Sequence, residues 1–101
     1  MGSYAIMWEF MIEPALSDEF EQAYHPEGEW AELFRCSPDY IKTELLHDTD
    51  HPERYITIDY WRSEDAYAAF KEGYHDEYEG LDRKCEPLTL TETHLGNFQI
   101  K

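Results

Sequence analysis

Three side chains combine a type that can take up or donate a proton with a place in the sequence that could bring it to a pocket. His25 stands beside Pro26 and Gly28, which interrupt a helical pattern, and irregular backbone at such a break can aim a side chain into a cleft. An imidazole in that place would act as a base near neutral pH. Tyr67 and Tyr74 follow in a later helical segment, where their hydroxyls could hydrogen-bond an anion formed by deprotonation. His25, Tyr67 and Tyr74 are therefore the candidate catalytic residues, and the alternative for His25 is that it caps the break or points to solvent.

Large aromatic side chains accompany these three residues in both halves of the chain. A planar aromatic ligand would fit between walls of this kind. The alternative for each of these side chains is ordinary packing in the core, because aromatic stripes at helical spacing usually belong to a core. The candidate pocket residues are Trp8, Tyr24, Trp30, Phe34, Tyr60, Trp61 and Phe70.

Two carboxylates, Glu9 and Asp59, fall on predicted strands, and we expect both on the sheet face opposite the helices. Paired carboxylates can share a proton and serve as acid and base. The alternative is that they form structural ion pairs on that face, with Lys42 or Arg62 as partner, because an unpaired buried charge is costly.

No metal or cofactor site is predicted. The Asp and His residues between His47 and His51 resemble metal ligands in composition, but they fall in a predicted turn and lack a regular spacing. Cys36 and Cys85 have no zinc-type spacing and are too few for a disulfide framework, so packed free thiols are expected, with a Cys36–Cys85 bridge as the alternative.

The elements that must position these side chains follow from hydrophobic patterning. Strands are expected over residues 4–13, 40–47, 54–61 and 88–99, with a bend or bulge at Gly96. A helix capped by Ser17 is expected to break near His25 and to resume at Trp30. A second helix capped by Ser63 is expected to run to about Lys84. The turn at residues 48–53 joins the second and third strands as a hairpin.

The element order βαββαβ predicts an α+β ferredoxin-like sandwich in one domain, residues 1–101, with strands 1 and 3 central and parallel and both helices on one face. Strand 1 carries bulky side chains on both faces: Ile6, Trp8 and Phe10 on one, Met7 and Glu9 on the other. The face without helices would expose apolar surface, so a homodimer with two sheets packed face to face is expected.

Charge limits the possible partners. The 101 residues include 8 Lys and Arg against 23 Asp and Glu, a formal net charge of -15, which repels nucleic acid and anionic membrane surfaces. The apolar runs fall far below the roughly 20 residues of a membrane span, and no secretory signal pattern precedes them, so a cytoplasmic protein is expected.

The stretches YAIMWEF, AYHPEGEWAELF, YIKTELL and YITIDYWRSEDAYAAF resemble the antibiotic biosynthesis monooxygenase family of dimeric α+β barrels over nearly the whole chain. The resemblance implies a ferredoxin-like protomer, a dimer formed through the sheets, and a pocket between sheet and helices. It also implies a cofactor-independent monooxygenase acting on a small aromatic or quinol-type metabolite. The alternative is a non-catalytic barrel that binds a small apolar ligand or serves in a stress response.

Haem binding or degradation is a minority alternative, because some members of the family break down haem. Those members use an Asn on strand 1 and a Trp and a His on the second helix. Here Trp8 stands at the Asn position and Phe70 at the Trp position, while His75 lies too early on the helix. The sequence therefore disfavours haem breakdown.

Overall fold

The computed structural model describes residues 2–101 as a four-stranded antiparallel sheet with helices packed on one face, which confirms the ferredoxin-like α+β fold. The strands are β1 (Tyr4–Met11), β2 (Tyr40–His47), β3 (Arg54–Trp61) and β4 (Thr91–Gln99). The helices are α1 (Ser17–Tyr24), α2 (Glu29–Phe34), α3 (Glu64–Gly73) and α4 (His75–Cys85). Short 3-10 turns, Pro14–Leu16 and Glu86–Leu88, precede α1 and β4. The order of strands in the sheet is β2-β3-β1-β4.

The expected parallel pairing of the two central strands is wrong. β1 and β3 are antiparallel, with Tyr4 opposite Trp61 and Met11 opposite Arg54. β1 and β2 run in one direction, and the hairpin after β2 makes β3 run against both of them. β4 also runs against β1, so β3 and β4 share the other direction.

The two faces of β1 divide as the alternation predicts. Ile6 and Phe10 are buried in the core under the helices, and Trp8 packs against that core. Met7 pairs with Ile58 and Glu9 with Ile56 across the ladder, so these side chains share the face opposite the helices.

The break in the first helix is confirmed, and a close backbone approach requires glycine there. A Cβ atom at Gly28 would lie 2.4 Å from the carbonyl oxygen of Gln22, closer than any side chain tolerates. The expected N-cap at Ser17 is wrong, because the preceding 3-10 turn leads directly into α1 and Ser17 is already helical.

The second helical segment begins as predicted and is interrupted where no break was expected. Ser63 caps α3, and its Oγ accepts a hydrogen bond of 3.1 Å from the backbone N–H of Ala66. The helix ends at Gly73, and Tyr74, with φ of -117°, separates α3 from α4. Glycine is a poor helix former, which makes this the weakest point of the segment.

Trp61 is the centre of the aromatic core. Its side chain is fully buried (0% exposed). The ring centroids of Phe34, Tyr40, Tyr67 and Phe70 lie 5.1 to 5.4 Å from its own. These edge-to-face and tilted arrangements are the favourable ones for aromatic pairs. The end of β3 is therefore pinned to α2 and α3 through one indole ring.

The edge strand β4 contains the predicted irregularity. Gly96 has a φ of +151°, which side-chain-bearing residues rarely adopt. It lies opposite Met7 while His94 lies opposite Trp8, so Leu95 is an extra, bulged residue.

Cys36 is exposed, Cys85 is buried, and both are free thiols. Within residues 2–101 no helix has the length and apolar character needed to cross a bilayer.

Candidate active site

A small cavity lies between the helix-covered face of the sheet and the helices. It encloses about 40 Å³, or about 470 Å³ when the open space at its mouth is included. The smaller figure is room for about three water molecules. The cavity is lined by Trp8, Phe10, Tyr24, Trp30, Phe34, Thr43, Thr57, Asp59, Tyr67, Tyr78, Asp82 and Glu92.

Asp59 is the ionisable group at the sheet side of this cavity. The expectation that it lies on the face opposite the helices is wrong. It stands opposite Ile6 on β1 and Thr43 on β2, both of which face the helices. Glu9 does lie on the other face, where its partner is Arg54 at 2.6 Å rather than Lys42 or Arg62. The two carboxylates are therefore on opposite sides of the sheet.

A chain of hydroxyl groups holds the Asp59 carboxylate in place. Thr43 Oγ1 donates a 2.7 Å hydrogen bond to Asp59 Oδ1. The hydroxyl of Tyr40 lies 2.7 Å from the same Thr43 oxygen. Because the Thr43 proton is used toward Asp59, Tyr40 is the donor in that second bond. Asp59 Oδ2 makes no hydrogen bond with the described residues, so it is the oxygen free to meet a ligand.

The surroundings of Asp59 favour its protonated form. Burial raises the pKa of Asp59 to about 6, and the hydrogen bond from Thr43 opposes that rise. A carboxylate with a pKa near 6 is a stronger base than an exposed one and is still ionised at neutral pH. Burial also raises the pKa of Tyr67, Tyr78 and Tyr24, so these phenols stay protonated and can act as hydrogen-bond donors.

Replacement of Asp59 with Asn is expected to change how stability depends on pH. The folded carboxyl has a pKa of about 6 against 3.8 in the unfolded chain, so the folded state retains a proton between these values. The wild-type free energy of unfolding should therefore fall relative to that of D59N as pH rises from 4 to 7, by up to roughly 3 kcal/mol. Urea unfolding at four pH values measures the difference.

The matched control for that experiment is Asp50→Asn, in the exposed hairpin turn. It removes the same charge without touching the cavity, so its difference from wild type should stay nearly constant across this pH range. A D59N difference that is equally flat would contradict the raised pKa.

Five of the predicted site residues meet at the cavity. Trp8, Tyr24, Trp30 and Phe34 supply much of its aromatic wall, and Tyr67 brings its hydroxyl to the same space. The indole N–H of Trp30 is buried and has no hydrogen-bond partner among the described residues. A ligand or water that reached it would satisfy a donor that the fold leaves unpaired.

Four other predicted residues do not line the cavity. Trp61 and Phe70 are buried in the core behind it, and Tyr74 stacks on Phe70 with centroids 5.2 Å apart. Tyr60 lies on the opposite sheet face, where its hydroxyl donates a 2.8 Å hydrogen bond to Glu44. Strand alternation explains the last placement, because the neighbour of an inward-facing residue must face outward.

His25 is not brought to the cavity either. Its side chain is exposed at the break between α1 and α2, and Nδ1 accepts a 3.0 Å hydrogen bond from the backbone N–H of Glu27. This contact satisfies a backbone donor in the segment between α1 and α2. The structure thus gives His25 the capping geometry that the sequence left open as the alternative.

Several lining residues were missed by sequence reasoning. Asp59 had a usable signal, because it precedes Trp61 by two residues and alternation puts both on one face. Thr43 and Thr57 follow from the same register once β3 is placed. Asp82 and Glu92 had no such signal, because they reach the cavity only through the packing of α4 and the bulged register of β4.

The Asp and His residues between β2 and β3 build a turn. Asp48 Oδ1 accepts hydrogen bonds from the backbone N–H groups of Asp50 and His51, and Oδ2 pairs with Arg54 at 3.1 Å. The bond from the Asp50 N–H, with the others, lowers the pKa of Asp48 to about 2. In residues 2–101 no group of three or more His, Cys, Asp or Glu side chains is arranged to hold a metal ion.

An antiparallel βαββαβ sandwich with an aromatic cavity under its helices defines the class, a ferredoxin-like α+β protein. A family model described as antibiotic biosynthesis monooxygenase matches residues 3–77, and the chain belongs to this family, as the resemblance implied. A comparison with curated protein sequences found no match.

Solved structures share the fold over nearly the full length of both chains. SnoaB, a cofactor-independent oxygenase from Streptomyces nogalater, is 20% identical with a TM-score of 0.69, covering 100% of this chain and 95% of that chain. A protein from Bordetella bronchiseptica, provisionally assigned as an antibiotic biosynthesis monooxygenase, is 14% identical with a TM-score of 0.79, covering 100% and 99%. A conserved protein from Methanosarcina mazei is 13% identical with a TM-score of 0.74, covering 100% and 95%. At such identities the likeness establishes the fold and leaves the reaction open.

Proposed function

We propose that this protein is a cofactor-independent monooxygenase acting on a small aromatic or quinol-type substrate in the cavity under its helices. The observation that carries the proposal is Asp59, a carboxylate of raised pKa that lines an aromatic-walled cavity together with Tyr67 and Tyr78. Family membership and the likeness to SnoaB, a cofactor-independent oxygenase, support the same reaction class. In this proposal Asp59, not His25, is the base.

The chemistry needs a base and a place for negative charge. Asp59 Oδ2 accepts a proton from a methylene activated by a neighbouring carbonyl, or from a phenol, and leaves an electron-rich anion. Tyr67 and Tyr78 are hydrogen-bond donors on the opposite side of the cavity and stabilise that anion. For an activated methylene, carbon bonds dioxygen to give a hydroperoxide, which then loses water. One oxygen atom enters the product as a carbonyl, the other leaves in water, and the substrate supplies all the electrons.

The test is oxygen uptake with anthrone as substrate, using chelator-treated protein without added metal, flavin or reductant. We expect one dioxygen consumed per carbonyl formed, with one labelled oxygen atom in the product when ¹⁸O₂ is supplied. Turnover that appears only with added metal or flavin would contradict the proposal. Binding of the ring without any oxygen uptake would favour the non-catalytic ligand-binding alternative.

We also propose that the protein is a homodimer joined through the sheet face that its own helices leave open. That face carries Met7, Ile56 and Ile58 on the central strands, and Leu46 and Phe98 near its edges are 46% and 47% exposed. These apolar side chains form a patch at the middle of the face, flanked by the Glu9–Arg54 ion pair and the Tyr60–Glu44 hydrogen bond, and an apolar patch of this kind marks an interaction surface. A second copy supplies a matching face, because two-fold pairing brings the same surface of each protomer together.

Replacement of Ile58 with Lys is expected to separate the dimer, because a charge would be buried at its centre without a partner. Light scattering at micromolar concentration should give twice the 12.1 kDa chain mass for wild type and the single mass for I58K. Ala68→Lys, an exposed change on α3, is the control and should stay dimeric. A wild-type protein that scatters as a monomer would refute the pairing.

A further inference from the structure

The entrance of the cavity is formed by residues that it shares with an outer groove. Trp8, Tyr78, Asp82 and Glu92 line both spaces, so a ligand that moves from the groove into the cavity passes them. Two of the four are aromatic and two are carboxylates. A ligand at the entrance would therefore contact the rings of Trp8 and Tyr78 and the carboxylates of Asp82 and Glu92.

The two entrance carboxylates have no positive partner. Neither Asp82 nor Glu92 takes part in an ion pair or a side-chain hydrogen bond within residues 2–101. Other carboxylates do have such partners, as Glu29 has Lys84 and Glu9 has Arg54. Burial, with the charges of Asp82 and Glu86, raises the pKa of Glu92. The entrance therefore holds like charges that repel each other and that a cation would relieve.

The aromatic part of the entrance already attracts a cation of the chain itself. The ammonium of Lys71 lies 4.7 Å from the ring centroid of Tyr78 and 5.8 Å from that of Tyr67. These distances are typical of cation–π contacts. Lys71 also lines the outer groove with Asp82 and Glu92, but its ammonium lies over the Tyr78 ring and forms no ion pair with either carboxylate, so both carboxylates stay available to a ligand cation.

A third carboxylate, that of Asp59, adds negative charge inside the cavity. Asp59 lines the enclosed space, its Oδ2 has no hydrogen-bond partner within residues 2–101, and the residues lining this space include no Lys, Arg or His. Asp59 belongs to β3 at the sheet side of the cavity, whereas Asp82 belongs to α4 and Glu92 to β4. An anionic ligand would meet like charge at the entrance and again at Asp59.

We propose that this cavity selects aromatic ligands that carry a protonated amine, admits neutral ones more weakly and rejects anionic ones. The inference rests on the proposed function only in placing the substrate in the same cavity. The ring lies against Trp30 and Phe34, and the ammonium lies at the entrance between Asp82 and Glu92. Asp82 and Glu92 are thus specificity-determining residues, distinct from the base.

The experiment compares three ligands that share one ring: 1-naphthylmethylamine, 1-naphthylmethanol and 1-naphthoate. Calorimetric titration of the full chain is expected to show the amine binding at least about tenfold more tightly than the naphthoate, with the alcohol between them. The ratio should shrink as salt is added, because the entrance charges are partly exposed.

Two double variants locate the effect. D82N/E92Q removes the entrance charges and should bring the amine-to-naphthoate ratio to within about threefold. D65N/E72Q removes the same net charge from exposed positions on α3 and should leave the ratio at its wild-type value. Circular dichroism confirms that both variants remain folded.

Each other outcome overturns the inference. Equal binding of amine and naphthoate, a ratio that persists in D82N/E92Q, an equal loss in D65N/E72Q, or no binding of any of the three would each do so. The readout is separate from turnover. If the amine binds most tightly but no oxygen is consumed, the oxygenase proposal is wrong and the selectivity proposal stands. If oxygen is consumed and anionic substrates are preferred, the oxygenase proposal stands and the selectivity proposal is wrong.

Discussion

Replacement of Asp59 with Asn should lower the rate of oxygen-dependent turnover of anthrone by about 10² to 10⁴-fold, the usual contribution of a positioned general base. Asn keeps the shape of the side chain and still accepts the hydrogen bond from Thr43, but it cannot take up a proton. Wild-type turnover should rise with pH up to about 6, where Asp59 ionises, and then level. In D59N this dependence on pH should be lost, and an oxygen electrode measures both effects.

The control for the turnover experiment is again Asp50→Asn, which lies in the hairpin turn and should keep the wild-type rate. Thr43→Val separates positioning from proton uptake. Because the Thr43 hydrogen bond lowers the pKa of Asp59, its loss should move the rising limb of the pH profile upward. A D59N variant with the wild-type rate and pH profile would remove Asp59 from the mechanism.

Replacement of Trp61 with Ala should destabilise the protein by about 3 to 5 kcal/mol, the range for deletion of a fully buried large aromatic ring. The indole is 0% exposed and contacts four other aromatic rings from β2, α2 and α3. Its loss would leave a void that these rings cannot close without leaving their own positions. Urea unfolding followed by circular dichroism, at one fixed protein concentration, measures the loss.

Trp61→Phe keeps an aromatic ring in the same space and should cost clearly less than W61A. Trp8→Ala provides a second comparison, because Trp8 is a partly exposed residue of the cavity wall and should also cost less. The indole N–H of Trp61 is buried without a partner, so W61F loses no hydrogen bond within the described part of the chain. A W61A loss below 1 kcal/mol would mean that the ring does not anchor the end of β3.

The stretch that contains Trp61 shows which structural features a short-range sequence pattern can predict. The strand β3, the hairpin before it and the serine cap after it are short-range features, and each was predicted from the sequence. The break at Tyr74 was not predicted, because a stripe at helical spacing continues through it on both sides. Periodicity reports which face is apolar, and it is insensitive to one residue that leaves the helical conformation.

The candidate site was predicted in part. Whether a residue was predicted correctly depended on whether the direction of its side chain follows from the pattern of its own helix or strand. Aromatic walls such as Trp8, Trp30 and Phe34 belong to amphipathic elements, so their inward direction could be inferred from spacing. His25 was chosen for its chemistry and its place at a break, but the backbone N–H of Glu27 binds its ring on the surface. Asp59 was assigned to the wrong face, although its distance from Trp61 carried the information.

The sequence by itself determined the element order, the alternating faces of the strands, the βαββαβ fold and the family, because hydrophobic period, caps and turns act over a few residues. Only the tertiary structure decided which polar groups share the cavity. Asp59 comes from β3, Thr43 from β2, Asp82 from α4 and Glu92 from β4, and these elements are far apart along the chain. Their meeting depends on strand register, on the bulge in β4 and on how α4 packs, and the last two are set by contacts that no local pattern encodes.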